Sequence, residues 1–240
     1  IGYEKVEQGF AGYVYGDSTC GQNVLYKMGM TGIPIINVNN NCSTGSSALY
    51  LARQAIEHRI ADCVIAVGFE QMRPGALSDV WTDRPSPLLD FDEKCKSLVG
   101  DIDIPLTLKY FGGAGLSYME KYGASINDFA KIRSKASKHA KNNPLALFRN
   151  EVSEEEVLNS PQIWPNVMTR LMACPPTCGA AAAILTSPEF AEALGVDASV
   201  RIIGQAMTTD SSATFENNDM IQLVGYDMAK EASNQVYEQT

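Results

Sequence analysis

The stretch IPIINVNNNCSTGSSALYLARQ at residues 33–54 predicts a strand, a short polar loop and a helix in direct succession. The strand is indicated by an apolar run of strand length, formed by Ile33, Ile35, Ile36 and Val38. The helix is indicated by apolar residues at the three- and four-residue spacing of a buried helix face, Leu49, Ala52, Ala55 and Ile56. Cys42 follows three asparagines and therefore lies at or next to the N-cap of this helix.

Cys42 in this position is a candidate nucleophile. The unpaired backbone N–H groups and the positive dipole end of a helix start favour a thiolate, which is the reactive form of cysteine. The small residues at 43–47 leave the backbone accessible, so a thioester carbonyl could bring its oxygen close to main-chain donors. The alternative is an ordinary buried cysteine, because free cysteine is among the most buried residue types.

The segment DCVIAV at 62–67 predicts a second strand after the helix. With the strand at 33–38 and the helix at 42–58 it makes a β-α-β unit, whose strands we expect to be parallel with a right-handed crossover. The fold class is therefore α/β. The end of the chain predicts a strand from Ala180, a helix from Ser187 and Pro188 to Gly195, a strand from Val200 and a helix at 226–237.

The middle of the chain is less regular. Prolines and charged residues between Glu70 and Pro105 predict irregular structure, and a helix follows at 107–122 although it contains the awkward GGAG. A further helix is predicted after its cap Ser125, with Ile126, Phe129 and Ile132 on its apolar face. Ser153 and Glu156 have the spacing of a capping box that opens a short helix.

The composition is that of a globular protein with one or two cores, since 45% of the 240 residues are hydrophobic and 20% are charged. The cysteines show neither a disulfide framework nor a metal-ligand pattern with the two histidines, so we expect no metal site and reduced thiols in an intracellular compartment. These cysteines are Cys20, Cys42, Cys63, Cys95, Cys174 and Cys178. No membrane span and no secretion signal is predicted.

The motif NVNNNCSTGSSAL at 37–49 resembles the thiolases, most closely the sterol carrier protein x type, together with GDSTCGQ at 16–22 and GFEQM at 68–72. Further segments fall in the family's order, namely MTGIPIINV from Met30, KYGASINDFAKI from Lys121, KNNP from Lys141, GAAAAIL from Gly179 and LVGYDM from Leu223. The resemblance covers nearly all of the chain. It implies a 3-ketoacyl-CoA thiolase for branched-chain or sterol side-chain acyl-CoA, in which Cys42 becomes acylated.

The resemblance also implies an architecture. We expect a thiolase-like mixed sheet covered by helices, with the N-terminal core at 1–69 and 171–199, an inserted loop domain at 70–170 that covers the substrate, and the start of an incomplete second half at 200–240. Coenzyme A and acyl-CoA would be substrates, and no cofactor is expected. The strand before Cys42 would pair across a two-fold axis in a homodimer. A eukaryotic source would imply a peroxisomal location, and a bacterial source a cytoplasmic one.

The net charge of −9 argues against nucleic acid as a partner, because phosphate-backbone binding depends on clustered lysine and arginine. It also contrasts with the polyanionic coenzyme A. The one concentrated basic patch lies on the helix after Ser125 and consists of Lys131, Arg133, Lys135, Lys138 and Lys141. A solvated helix face, a site for the phosphates of coenzyme A and a contact with another subunit are all compatible with it.

The chain departs from the family in lacking the motifs that carry the family's acid/base histidine. The family's acid/base histidine lies in second-half motifs HDCF and GHP, which this sequence lacks, and His58 and His139 read as solvated helix positions. Cys178 stands where an aspartate is common, and we expect a packed or partly buried thiol there. Cys63, Cys95 and Cys174 are expected in strands or packed segments. Two classes of function therefore compete: a thiolase, and a catalytically incomplete fragment that keeps the fold and binds acyl-CoA or a partner. The related ketoacyl synthases are disfavoured by GFEQM and by VGYDM at 224–228.

Overall fold

The computed structural model describes residues 1–75 and 80–240. Its strands are β1 (Gln8–Gly12), β2 (Ile35–Val38), β3 (Cys63–Glu70), β4 (Gln162–Trp164), β5 (Met168–Thr169) and β6 (Gly179–Thr186). Its helices are α1 (Cys20–Tyr26), α2 (Thr44–Glu57), α3 (Leu89–Val99), α4 (Leu106–Tyr122), α5 (Ile126–Ala140), α6 (Glu154–Asn159), α7 (Pro188–Leu194), α8 (Ala213–Glu216), α9 (Met220–Leu223) and α10 (Tyr226–Gln239).

The central sheet has the order β2-β1-β3-β6 and is mixed. β1 is parallel to both β2 and β3, with Phe10 opposite Ile36 and Ala66, and β6 is antiparallel to β3. The predicted strands at 33–38 and 62–67 are therefore parallel, as expected, but β1 lies between them. The α/β class and the mixed sheet covered by helices are confirmed.

Helices cover both faces of the sheet because successive residues of a strand point to opposite sides. Val64 and Ala66 of β3 pack against Ala48, Ala52 and Ala55 of α2. Leu25 of α1 and Phe190 of α7 pack on the other face, where β1 and β3 contribute Ala11, Cys63, Ile65 and Val67. Small alanines on α2 allow this helix to lie close to the strands, which brings its first turn directly onto the sheet.

α3 corrects the prediction of irregular structure between Glu70 and Pro105, of which 76–79 lie outside the described residues. Its acidic residues Asp90 and Asp92 occupy the first turn, where the helix dipole favours negative charge. Cys95 is fully buried against Met220 and Leu223 of α9, with Phe91, Leu98 and Val99 of α3 packed around them. The helical spacing of these apolar residues was present in the sequence but was hidden among charges.

The predicted capping box of α6 is confirmed. The N–H of Glu156 donates to Ser153 Oγ at 3.1 Å, and the N–H of Ser153 donates to Glu156 Oε2 at 2.7 Å. α5 also begins after its cap Ser125, but its apolar face differs from the prediction because Ile132 is 64% exposed. The residues that α5 buries are the small Ala130, Ser134 and Ser137, which permit a close approach of neighbouring backbone.

The strand predicted from Val200 is wrong: residues 200–207, all within the described chain, form no strand. Their backbone bonds instead to a side chain of α10. The N–H of Gln205 donates to Gln239 Oε1 at 3.0 Å, and Gln239 Nε2 donates to the carbonyl of Gln205 at 3.2 Å. The side-chain amide of Gln239 thus forms the two hydrogen bonds with the backbone of Gln205 that a neighbouring strand would otherwise form.

Backbone contacts divide the chain into two compact units, one of Ile1–Leu77, Pro176–Met207 and Ala232–Thr240 and another of Ser78–Pro175 and Thr208–Glu231. The first contains the sheet with α1, α2 and α7, and the second contains α3 to α6 with the β4–β5 pair. The domain boundaries implied by the family resemblance stay a prediction. In the described part of the chain, no helix is both long and apolar enough to cross a membrane.

Candidate functional site

Cys42 lies in the turn between β2 and α2, next to the N-cap Ser43 and two residues before the first residue of the helix. The preceding Asn41 has the left-handed backbone conformation (φ +48°) that asparagine tolerates better than most residues. The N–H of Asn41 donates to Asn39 Oδ1 at 3.2 Å, and Cys42 Sγ lies 3.9 Å from Asn41 Oδ1. Cys42 itself is exposed, so a substrate could reach it directly.

Thr44 stabilises this turn through the hydrogen bonds of its side chain. Its hydroxyl accepts the N–H of Asn40 at 2.9 Å and donates to the carbonyl of Asn41, while the residue is only 5% exposed. The turn is also held by Asn40 itself, whose Nδ2 donates to Ser47 Oγ at 3.0 Å and whose carbonyl accepts from Ser43 Oγ at 2.7 Å. The backbone on either side of Cys42 is therefore tied to the first turns of α2.

Gly12 of β1 explains how α2 can begin so close to the sheet. A Cβ at this position would lie 2.8 Å from Thr44 Cγ2 and 2.9 Å from the carbonyl oxygen of Thr44, closer than such atoms can approach. Gly68 of β3 is a second close neighbour, since a Cβ there would lie 3.4 Å from Gly45 Cα. Glycine is needed at position 12 because the backbone of the helix start occupies the space of a side chain.

The first turn of α2 offers main-chain donors beside Cys42. Gly45 and Ser46 are exposed, and the N–H groups of a first helical turn have no acceptor within the helix. A Cβ on Gly45 would meet no atom of residues 1–75 and 80–240 within 4 Å, so the described chain leaves space above this residue. An exposed thiol near the start of a helix is an arrangement that can attack a thioester carbonyl, with main-chain N–H groups to stabilise the negative charge on its oxygen.

Glu70, in the GFEQM segment, ties the end of β3 to the chain that follows β1. Its carboxylate accepts the N–H of Val14 at 2.9 Å and the N–H of Tyr15 at 3.1 Å. The rings of Tyr13 and Phe69 stack beside this connection with centroids 5.2 Å apart. Glu70 therefore stabilises the sheet end at which the Cys42 turn lies.

Four of the other cysteines fall into two groups, and Cys20, the first residue of α1, is half-buried. Cys63 and Cys95 are buried, and burial raises the pKa of both thiols. Cys174 and Cys178 are exposed, which contradicts the expectation of packed thiols at these positions. Cys178 directly precedes β6, whose residues at 179–184 are themselves exposed at an edge of the sheet, and its Sγ lies 3.8 Å from the carbonyl oxygen of Met72.

Both histidines occupy exposed helix positions, as expected. His58 is the C-cap of α2, and its Nδ1 lies 3.0 Å from the carbonyl oxygen of Gln54. α2 separates it from the Cys42 turn by about 20 Å of helix. His139 lies in the last turn of α5, in the second unit.

Two residues of the basic patch on α5 have partners within their own unit. Arg133 Nε donates to the carbonyl of Leu171 at 2.8 Å, and Lys141 Nζ lies 2.6 Å from Glu151 Oε1. Lys131, Lys135 and Lys138 are exposed. A contact with coenzyme A phosphates stays a prediction.

A cleft of about 450 Å³ in the first unit lies beside the C-terminal half of α2, where Tyr50, Arg53 and His58 line it, and thus away from Cys42. Within residues 1–75 and 80–240, no group of three His, Cys, Asp or Glu side chains is placed to hold a metal ion.

Sequence reasoning singled out Cys42 as a candidate nucleophile but assigned no role to Thr44, Asn40 or Gly12. A usable signal existed for Thr44 and Asn40, because threonine and asparagine at a helix start commonly form local side-chain bonds to the backbone. No comparable signal existed for Gly12, whose role depends on a contact with a helix start 32 positions later in the chain.

A family model described as the thiolase N-terminal domain matches residues 1–160. The chain is 46% identical over 242 residues to sterol carrier protein 2 of Rattus norvegicus and 46% identical over 245 residues to that of Homo sapiens, covering 100% of this chain and 44% of each relative. It is also 31% identical to the benzoylsuccinyl-CoA thiolase subunit BbsB of Thauera aromatica, over 98% of this chain and 57% of that protein. The chain thus spans less than half the length of its sterol carrier protein relatives.

Solved structures share the fold at lower identity. The dimeric peroxisomal thiolase of Saccharomyces cerevisiae matches 84% of this chain and 56% of its own with a TM-score of 0.62 and 18% identity. The acetyl-CoA acetyltransferase of Syntrophomonas wolfei matches 97% of this chain and 64% of its own with a TM-score of 0.65 and 15% identity.

Proposed function

Because the chain belongs to the thiolase family, we propose that it carries the nucleophile of a 3-ketoacyl-CoA thiolase and that this nucleophile is Cys42. The observation that carries the proposal is an exposed cysteine in a turn that is hydrogen-bonded to the first residues of α2, where Gly45 and Ser46 are also exposed. A buried, inert thiol is the alternative for a free cysteine, and the exposure of Cys42 speaks against it.

In the proposed step the Cys42 thiolate attacks the carbonyl carbon of an acyl-CoA thioester. The new carbon–sulfur bond forms as the bond to coenzyme A breaks, and coenzyme A leaves as the thiolate. The negative charge that develops on the carbonyl oxygen is stabilised by main-chain N–H groups at the start of α2. Passage of the acyl group to a second CoA thioester then completes the reversible Claisen chemistry of the family.

We further propose acyl-CoA thioesters with branched or sterol-derived chains as the substrate class. The support is the identity to vertebrate sterol carrier protein 2 over 100% of this chain. Coenzyme A and acyl-CoA are substrates in this proposal, and no resident cofactor is needed. An intracellular, peroxisomal location in a eukaryotic cell belongs to the same proposal.

A homodimer is also proposed. β2 is an outer strand of the described sheet, and the carbonyl groups of Pro34, directly before it, and of Val38 accept from the N–H groups of Gly9 and Tyr13 on the β1 side. Because backbone groups alternate in direction along a strand, those of Asn37 point away from β1. An outer strand of this kind is suited to pairing with the same strand of a second copy.

A second candidate is binding of acyl-CoA without turnover. Condensation requires a base that removes a proton from the second thioester. His58 lies at the far end of α2 from Cys42, which favours this candidate for the 240-residue chain taken alone.

Incubation of the chain with propanoyl-CoA, followed by peptide mapping, tests the proposal. We expect slow addition of one propanoyl group at Cys42, loss of that addition in Cys42→Ala, and its retention in the control Cys178→Ala, which removes another exposed thiol. We expect no steady-state thiolysis of a 3-ketoacyl-CoA by this chain. Absence of acylation at Cys42 would contradict the proposal that Cys42 is the nucleophile. Sustained thiolysis would rule out the second candidate function, binding of acyl-CoA without turnover.

A further inference from the structure

Thr44, the first residue of α2, contacts both the Cys42 turn and strand β1. Its hydroxyl accepts the N–H of Asn40 at 2.9 Å and donates to the carbonyl of Asn41, the two residues that precede Cys42. Its methyl group points at Gly12, where a Cβ would lie only 2.8 Å from it. One side chain therefore bonds the backbone before Cys42 and rests on the backbone of β1.

These contacts restrict where Cys42 can lie. Asn41 has a left-handed backbone, so the chain turns sharply before Cys42. Because Thr44 is 5% exposed, water cannot readily replace the partners of its hydroxyl. Loss of the hydroxyl would leave the N–H of Asn40 without this partner, and the turn would be held to the helix start only by its other bonds, which include those of Ser43 and Ser47.

We propose that Thr44 is a positioning residue for Cys42, whose hydroxyl holds the thiol beside the positive end of α2. The catalytic meaning of this role rests on the proposed function. The positioning itself does not, because it concerns the local field at the Cys42 sulfur.

The field at a thiol can be measured with two alkylating reagents of similar size. Iodoacetate is negatively charged and iodoacetamide is neutral, so a positive local potential raises the rate of the first relative to the second. Peptide mapping of the 240-residue chain gives this rate ratio separately for Cys42 and for the exposed Cys174. The quotient of the two ratios reports the field at Cys42 with an internal reference.

The test compares Thr44→Val, which keeps the shape and removes the hydroxyl, with Thr44→Ser, which keeps the hydroxyl and removes the methyl group. We expect Thr44→Val to lower the quotient by about two- to fivefold, the size of an exposed charge interaction with a helix terminus. Thr44→Ser should retain most of the wild-type quotient. Should Thr44→Val fail to fold, the smaller Thr44→Ala removes the same hydroxyl and should show the same fall.

Thr169→Val is the matched control. Thr169 is fully buried in the second unit, and its hydroxyl donates to the carbonyl of Val157 at 2.8 Å. The control loses a buried hydroxyl bond, as Thr44→Val does, and should leave the quotient for Cys42 unchanged.

A wild-type quotient in the folded hydroxyl-free variant would overturn the proposal, and so would an equal fall in Thr44→Ser and Thr44→Val. Alkylation requires no acyl-CoA. A chain in which Cys42 is not acylated but Thr44→Val still lowers the quotient would therefore refute the proposed function and support the positioning role.

Discussion

At the scale of single residues, the cysteines differ by environment although their chemistry is the same. Cys63 lies within β3 and Cys95 within α3, and both are inaccessible in the folded chain. Cys174 and Cys178 share exposure with Cys42 but do not precede the first turn of a helix as long as α2. Reactivity at Cys42 beyond that of Cys174 and Cys178 would therefore have to come from its position at the helix start.

Alkylation with iodoacetamide near neutral pH should modify Cys42 several times faster than Cys174 or Cys178. Cys63 and Cys95 should be modified slowest. Burial raises the pKa of these two thiols, so their thiolates are scarce at neutral pH and their labelling should increase only as the pH rises above the ordinary range of a thiol. Peptide mapping over time gives each rate.

The control is the same experiment in urea, where all the cysteines should react at similar rates because the folded environments are lost. Equal rates for Cys42, Cys174 and Cys178 in the folded chain would remove the argument for an activated nucleophile.

At the scale of elements, α4 shows why a helix can tolerate glycines that lower its intrinsic stability. Gly112 and Gly113 are buried, and a Cβ on Gly112 would lie 2.7 Å from the Trp164 ring of β4. Gly115 differs, because the nearest described atom to a Cβ there would be in the ring of Phe129, at 3.8 Å. The GGAG segment therefore combines glycines required by close packing with one that is not.

Gly112→Ala should destabilise the chain by about 1–3 kcal/mol, since the rigid ring of Trp164 must shift to make room. Gly115→Ala is the matched control in the same helix and should stabilise it by up to about 1 kcal/mol through the lower backbone entropy of alanine. Urea unfolding followed by circular dichroism measures both. Stabilisation by Gly112→Ala would show that Trp164 does not restrict this position.

At the scale of the whole molecule, the sheet leaves β2 as an outer strand beside the candidate site. Ile35 packs into the core with Leu25 and Ile65, whereas Ile36 is 39% exposed. A charge at Ile35 would therefore disturb the fold itself, and Ile36 is the better position for testing assembly. Lysine on an outer strand is a common means of preventing strands from pairing between molecules.

Ile36→Lys should convert the proposed dimer to monomer, because pairing through β2 would bring two lysines close to the two-fold axis. Ile60→Lys is the control, since Ile60 is 70% exposed in the turn after α2. Size-exclusion chromatography with light scattering gives the mass of each variant. A dimer that persists in Ile36→Lys, or a wild-type chain that is monomeric, would contradict pairing through β2.

Much of the site could be predicted from the sequence because it is built from neighbours in the chain. The strand, the turn and the helix around Cys42 lie within 33–57, and their apolar spacing and polar turn residues identify them without reference to the rest. The capping box of Ser153 and Glu156 is local in the same sense. Helix periodicity failed at α3, where charged residues surround the buried Cys95, and at α5, where Ile132 of the predicted apolar face is exposed.

The sequence by itself determined the α/β class and the turn with Cys42 at the start of α2, because hydrogen bonds and periodicity over a few residues decide these features. Its motifs carried the resemblance to thiolases. Only the tertiary structure decided that β1 lies between β2 and β3, that Gln239 takes the place of a strand beside Gln205, and that Gly12 must be glycine beneath Thr44. These three features are contacts between segments that are far apart in the chain and that pack together to exclude water. The spacing of apolar residues within one segment does not indicate which distant segment will pack against it.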